Sequence, residues 1–268
     1  MKKTLSILVV LVVLLTGVLL TGCGKTQKTD WDYIQSKGEM TIGITYYQPM
    51  NYLDANGNLT GFDTEFAEAV CQKLGITPKF QEIDWDSKET ELDGKTIDCI
   101  WNGMTKTPER AQNMDLSESY MNDRQVMVVP SSRVDLYQTA ADLAGKEIVA
   151  EKGSASESAE QSDSFFAQGK YTAVDKEENA LMEVKAGTAD AAVCDYVMAA
   201  GSLGAGSNFT DLVISPYWTA QEEEYSIAFR KNSPETLAKI NEAIDELKAD
   251  GTLESIAAKY NITDLLIK

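Results

Sequence analysis

The chain predicts an α/β fold, because short runs with strand-like alternation are interleaved along it with segments in which apolar residues recur every three or four positions. The first strand signal is Met40, Ile42 and Ile44 alternating with polar or small residues, and the first clear helical period runs from Asp63 through Phe66, Ala69, Val70 and Leu74. The same pair of patterns then recurs to the C-terminus.

Folding is expected to begin near Trp31, after the polar stretch Gly24 to Asp30. Asn56-Gly57, between Tyr52 and Leu59, marks a hairpin after the first strand. Asp54, Asn56 and Asn58 faintly suggest a calcium loop, but the glycine comes too early for one, and the hairpin is the better reading. Gly75 closes the helix that starts near Asp63. Further strands are expected at Ile97–Trp101, Gln125–Val129, Glu147–Glu151, Asp190–Cys194 and Tyr225–Phe229, with helix-like segments between several of them. The last clear helix carries Leu237, Ile240, Ile244 and Leu247, opened by Ser233-Pro234-Glu235 and stopped at Gly251. No repeat of solenoid length and no low-complexity tract interrupts this order.

The N-terminal segment has another character. Met1-Lys2-Lys3 precedes a nearly unbroken aliphatic run from Leu5 to Leu20, which ends in Leu20-Thr21-Gly22-Cys23 and turns polar. That is the layout of a secretory signal over 1–22. Leu-Thr-Gly-Cys resembles the bacterial lipobox, which implies a diacylglycerol on Cys23, removal of the preceding peptide and a lipidated tether over 23–30. Ordinary signal cleavage beside a bystander cysteine is the alternative. Two acyl chains hold a protein at a membrane where one gives only marginal binding. The expected location is therefore the outer face of the cytoplasmic membrane, meaning the cell surface of a Gram-positive host or the periplasm of another.

Composition excludes several function classes. The sequence has 24 Lys and Arg against 42 Asp and Glu, and without Lys2 and Lys3 the net charge is about −20, which disfavours a nucleic-acid partner. There is no histidine, so neither a Ser-His-Asp nor a Cys-His centre is available, nor the commonest metal ligand. Cys71, Cys99 and Cys194 form no CxxC pair and read as small core residues, so no metal site and no cofactor is expected. No segment after the leader is hydrophobic enough to span a bilayer.

Several local runs resemble one family together. Gly61-Phe62-Asp63-Thr64-Glu65-Phe66, followed by Val70-Cys71 and Leu74, is similar to the signature of the amino-acid-binding group (family 3) of ABC-transporter solute-binding proteins. Tyr47-Gln48-Pro49-Met50 and Ile83-Asp84-Trp85 resemble its two aromatic elements. Asn102-Gly103-Met104-Thr105, running through Thr107-Pro108-Glu109-Arg110, resembles its strand-to-helix ligand turn. Gly153-Ser154-Ala155-Ser156 resembles the start of its second lobe, and Ala189 to Tyr196 the strand that ends in an amine-binding acid.

The resemblance implies a two-lobed periplasmic-binding-protein-like fold of type II with two crossover hinge strands. Lobe 1 would take 31–120 and 224–268, and lobe 2 would take 121–223. It implies a monomer that closes on a free amino acid and delivers it to separate permease and ATPase subunits, with no catalysis. Two rivals share the scaffold, an amino-acid sensing receptor domain and a dehydratase-type enzyme. An enzyme needs a cleft acid or base with a displaced pKa, and the only acid expected in the cleft is Asp195.

The expected ligand residues are Tyr47, Trp85, Asn102, Gly103, Thr105, Arg110, Ser154, Ala155 and Asp195, and each also has a structural reading. Arg110 can meet a carboxylate bidentately with Thr105 and the amides around Gly103, or it can be a solvated residue in a helix capped by Thr107. Ser154 or Ser156 can cap a helix, while the backbone beside Ala155 can face an anion. Asp195 can accept an ammonium or satisfy turn amides. Tyr47 and Trp85 can wall the ligand or belong to the core, and Trp101 is the least certain aromatic.

Overall fold

The computed structural model describes residues 29–204 and 207–268, so the leader, Cys23 and most of the expected tether lie outside the described residues. Helix α1 (Asp30–Lys37) opens on a capping box between Thr29 and Asp32 and buries Trp31 and Ile34. Asp30 pairs with the buried Arg230 at 2.8 Å, and Arg230 also meets Asp98 at 3.1 Å. This ion network holds the first helix against the rest of the fold.

Strand β1 (Glu39–Ile44) runs parallel to β4 (Thr77–Glu82) and to β5 (Cys99–Thr105). Its residues from Met40 to Ile44 are all buried, on both faces. The alternation in the sequence suggested one wet face, but a parallel layer covered by helices buries both. Strands β2 (Tyr52–Leu53) and β3 (Leu59–Thr60) form the expected hairpin. Its turn spans five residues, with Asp54 Oδ1 accepting the amides of Asn56 and Asn58. Helix α2 (Phe62–Leu74) follows and ends on Gly75 at φ +68°, a left-handed position that suits glycine.

Helix α3 (Lys88–Asp93), the short α4 (Arg110–Asn113) and strand β6 (Met114–Leu116) lead to β7 (Met121–Pro130). Then come β8 (Glu147–Glu151), α5 (Ala155–Ser162), β9 (Lys170–Val174), α6 (Glu177–Ala186), β10 (Ala191–Asp195) and α7 (Tyr196–Ser202). The chain returns through β11 (Leu212–Arg230) into α8 (Pro234–Ala249), which has Pro234 in its first turn, and α9 (Thr252–Lys259).

The sheet order is β4-β1-β5-β11-β7-β10-β8-β9, with β6 added beside β11. Both long strands, β7 and β11, run from one half into the other. The C-terminal part of β11 pairs with β5 and β6, whereas its N-terminal part, Leu212 to Ile214, pairs with the far end of β7. Between these parts the register of β11 against β7 shifts twice, from Ile214 to Thr219 and from Thr219 to Glu222. Such irregularities loosen pairing locally, which suits a hinge. Only Tyr225–Phe229 of this strand was legible in the sequence. Cys71, Cys99 and Cys194 are buried free thiols. Among the described residues no helix is long and apolar enough to cross a membrane.

Candidate functional site

The C-terminal ends of β1, β5, β8 and β10 converge on the cleft between the halves, the edge where open α/β sheets present ligands. All nine residues expected from the sequence line one cavity there, joined by Glu151 and Glu177.

Asn102, Gly103 and Thr105 belong to β5 itself, so this run is a strand end and the turn follows at Lys106 to Glu109. The Asn102 side chain accepts the Thr45 amide at 2.8 Å and donates to Thr45 Oγ1 at 2.7 Å, which ties the β1 loop in place. That loop carries Tyr47, whose hydroxyl donates to the Asn102 carbonyl at 3.3 Å. Gly103 sits at φ +52°, and a Cβ there would lie 1.7 Å from the Tyr47 hydroxyl. Its amide donates to Asp63 Oδ2 at 2.6 Å, so the expectation that it serves a ligand carboxylate does not hold. Asp63, read in the sequence only as a helix-start carboxylate, is a fully buried strut. Burial pushes its carboxyl up to about 7 despite the Gly103 amide and the Tyr120 hydroxyl.

Arg110 keeps the Thr107 cap of its structural reading but is buried and not solvated. Thr107 Oγ1 accepts the Arg110 amide at 3.1 Å and so caps the turn, while the guanidinium is buried in the cleft. Nη1 donates to the Thr105 carbonyl at 2.7 Å and Nη2 reaches the Gly153 carbonyl across the cleft at 3.5 Å. Its other donors make no bond among the described residues. Trp85, its ring centre 6.0 Å from the guanidinium carbon, forms an adjacent wall. Trp101 instead packs edge-on against Phe66 in the core.

From the other half, Ser154 caps α5 by accepting the Glu157 amide at 3.0 Å, which settles the choice between the two serines. Ser156 Oγ donates to Gln125 Oε1 at 2.5 Å. Gln125 Nε2 in turn donates to Asp195 Oδ1 at 2.6 Å and to Glu223 Oε1. Tyr225 OH donates to Asp195 Oδ2 at 2.7 Å. Both carboxylate oxygens of Asp195 are thus held by side chains, not by the turn amides of its structural reading.

The cleft is richer in acids than the sequence suggested, which removes the expectation that Asp195 stands alone. Burial raises the Asp195 carboxyl, against the pull of Gln125, Tyr225 and Arg110. Burial and the neighbouring Asp195 push Glu151 up to about 8 and Glu223 up to about 7. Glu177, which accepts the Asp195 amide at 2.7 Å, is raised by the same two causes. A cavity of this kind favours a positive group beside Asp195 and a negative one beside Arg110.

The halves touch through three lysines. Lys88 Nζ donates to the Gly153 carbonyl at 2.9 Å, Lys152 pairs with Asp86 at 2.8 Å, and Lys176 pairs with Glu82 at 2.5 Å.

Residues 40–263 match the model of the bacterial extracellular solute-binding proteins, family 3. The chain belongs to that family. It is 30% identical to the arginine-binding extracellular protein ArtP of Bacillus subtilis (strain 168) over 263 residues, covering 97% of this chain and 98% of that protein. Among solved structures, an ABC uptake transporter substrate-binding protein of Streptococcus pneumoniae with bound histidine superposes with a TM-score of 0.83 at 33% identity, covering 91% of this chain and all of that one. The ancestral amino-acid-binding protein AncCDT-1, a precursor of cyclohexadienyl dehydratase, gives 0.77 at 30% identity, covering 85% of this chain and 98% of its own. The two-lobed periplasmic-binding-protein fold of this family member matches what its sequence implied.

Proposed function

We propose that this family member is the extracytoplasmic substrate-binding component of an ABC importer for a polar amino acid, closing its lobes on the free ligand and presenting it to a permease and ATPase. One observation supports the reading: Arg110 from one half and Asp195 from the other line the same cavity. A free amino acid bears one carboxylate and one ammonium on neighbouring atoms. The Arg110 fork, with the α5 N-terminus at Ser154 and Ala155, receives the carboxylate, while the expected Thr105 hydroxyl already donates to Glu223 Oε1 at 3.1 Å. Asp195 receives the ammonium, and Tyr47 and Trp85 cover the apolar stem.

We place lobe 1 at 31–120 and 224–268 and lobe 2 at 121–223, with the hinge in β7 and β11. The protein acts as a monomer held to the membrane by lipid on Cys23, through a tether over 23–30. A thermal-shift screen of the twenty amino acids plus cystine, followed by calorimetry on the hits, tests the binding role, and the lack of any stabilising amino acid would refute it. Cys23→Ser should leave binding intact while releasing the protein into the medium, and persistent membrane association would contradict the anchor.

A second reading, a dehydratase-type enzyme, draws on the raised Glu151 carboxyl in the cavity. We favour binding without turnover, since both oxygens of Asp195, the acid on the neighbouring strand end, are held by Gln125 and Tyr225. Incubating the protein with its hits and following them by NMR decides, and conversion of the ligand would overturn the binding-only role.

A further inference from the structure

We propose that the bound amino acid has a cationic side chain and that Glu151, with Glu177 beside it, receives that cation. This rests on the amino-acid-binding role above and narrows it to a ligand class.

A zwitterion uses Arg110 for its carboxylate and Asp195 for its ammonium. Two further carboxylates, Glu151 and Glu177, line the same cavity. Glu151 is only 5% exposed, and its Oε1 has no hydrogen-bond partner. Buried carboxylate oxygens are rarely left unmatched, because the lost hydration is not replaced, so the missing partner belongs to whatever fills the cavity.

No cation among the described residues supplies it. Lys88 is the nearest candidate, since its charge favours ionised Glu151, yet its Nζ is committed to the carbonyls of Trp85 and Gly153. Neither Glu151 nor Glu177 makes a salt bridge among the described residues. Burial and Asp195 push Glu151 up to about 8, the behaviour of an acid that lacks a counter-charge.

The position suits a side-chain terminus. Strands β8 and β10 are parallel with Val149 opposite Ala192, which sets Glu151 level with Cys194 and one step short of Asp195. A ligand anchored by Asp195 therefore has Glu151 on the neighbouring strand end. The aromatic faces of Tyr47 and Trp85 on the facing half suit the methylene stem and the delocalised or ammonium head of such a side chain. A guanidinium, with its planar fork, would span Glu151 and Glu177 better than a single ammonium.

Calorimetry with arginine, lysine, citrulline, glutamine and cystine tests the assignment. Citrulline keeps the shape of arginine and replaces the cation by a neutral group. Arginine or lysine should bind at least a hundredfold more tightly than citrulline and glutamine. Glu151→Gln should weaken the cationic ligand at least tenfold while leaving citrulline within about threefold of wild type. Citrulline or glutamine binding as tightly as arginine and lysine, cystine binding more tightly than both, or an unchanged arginine-to-citrulline ratio in the variant would overturn the inference and leave the amino-acid role standing. Binding of no amino acid would remove both. If Glu151→Gln does not fold, the wild-type ratio alone decides.

Discussion

Arg110→Lys isolates what a planar fork contributes beyond a positive charge. In the native cleft Nη1 is fixed on the Thr105 carbonyl at 2.7 Å and Nη2 reaches the Gly153 carbonyl at 3.5 Å, which orients the guanidinium and leaves its other donors to meet a carboxylate in its plane. A lysine keeps the charge but loses the orienting bond and offers one head in place of two parallel donors. Losing one charge-assisted hydrogen bond of a bidentate pair costs about 1.5–3 kcal/mol, or a weakening of about 10- to 150-fold in Kd. A second effect acts the same way. Burial pushes the cation at 110 down, against the pull of Asp195 and Glu223, and a lysine there would meet the same desolvation. Unlike arginine it can shed its proton, so the loss should grow as pH rises.

The assay is titration calorimetry of wild type and variant with the tightest ligand of the screen, at pH 7 and pH 8.5. The ligand-free melting temperature serves as a control. Loss of the Thr105 bond should cost about 1 kcal/mol and lower that temperature by about 2–4 °C in a protein of this size. A Kd within threefold of wild type, with the modest thermal change present, would refute the role given to the guanidinium.

Asp195→Asn should weaken the same ligand at least tenfold, and wild type should discriminate at least as strongly against the deaminated analogue. Equal calorimetric affinity for both compounds contradicts the ammonium assignment. Gly103→Ala forces a side chain into a left-handed conformation and drives its Cβ to 1.7 Å from the Tyr47 hydroxyl, so it should cost about 2–5 kcal/mol in urea unfolding and reduce binding through Tyr47. An unfolding free energy within 1 kcal/mol of wild type would argue against it. Ligand-free stability should fall as pH rises from about 5 to 8. Asp63, Glu151 and Glu223 have carboxyls raised to about 7, 8 and 7, so over this window the unfolded chain is ionised while the folded one still holds protons. Lys88, pushed down to about 8, opposes this only above that pH. Urea unfolding at pH 5.5 and 8 gives the sign, and a rise with pH would be fatal to it.

Much of the site was legible because its residues sit in short local patterns. Asp195 was found as an acid ending the apolar run Ala191 to Cys194, and the same signal marks Glu151 after Ile148-Val149-Ala150, where it was passed over. Glu177 lies in the first turn of α6, a place that acids occupy at many helix starts, so nothing in the sequence sets it apart. Gln125 had no such signal, since a polar residue at a strand edge reveals its partners only when Ser156, Asp195 and Glu223 arrive from distant segments. Glu223 was hidden in the run Gln221-Glu222-Glu223-Glu224, which looks like a solvated face. The full length of β11 was illegible for a related reason. Pro216 and that acidic run break the apolar alternation where the strand leaves one half for the other, so the hinge carries a loop-like composition.

The acids also bear on why closure should wait for ligand. The Lys152–Asp86 and Lys176–Glu82 pairs across the cleft are each roughly half exposed, and exposed pairs contribute about 0–1 kcal/mol. Against them, closing the empty cleft buries Asp195, Glu151, Glu177 and Glu223 around one free guanidinium, and burial opposes ionisation of all four. An empty closed state must therefore take up protons or forgo hydration, whereas a ligand with two positive groups restores counter-charges at Asp195 and Glu151. The differential affinity for the closed state then comes from the ligand's charges more than from lobe-to-lobe contacts. On the proposed cationic-ligand assignment, such a receptor would stay open until a cation of the right shape arrives, which is the discrimination an importer needs at its outermost step.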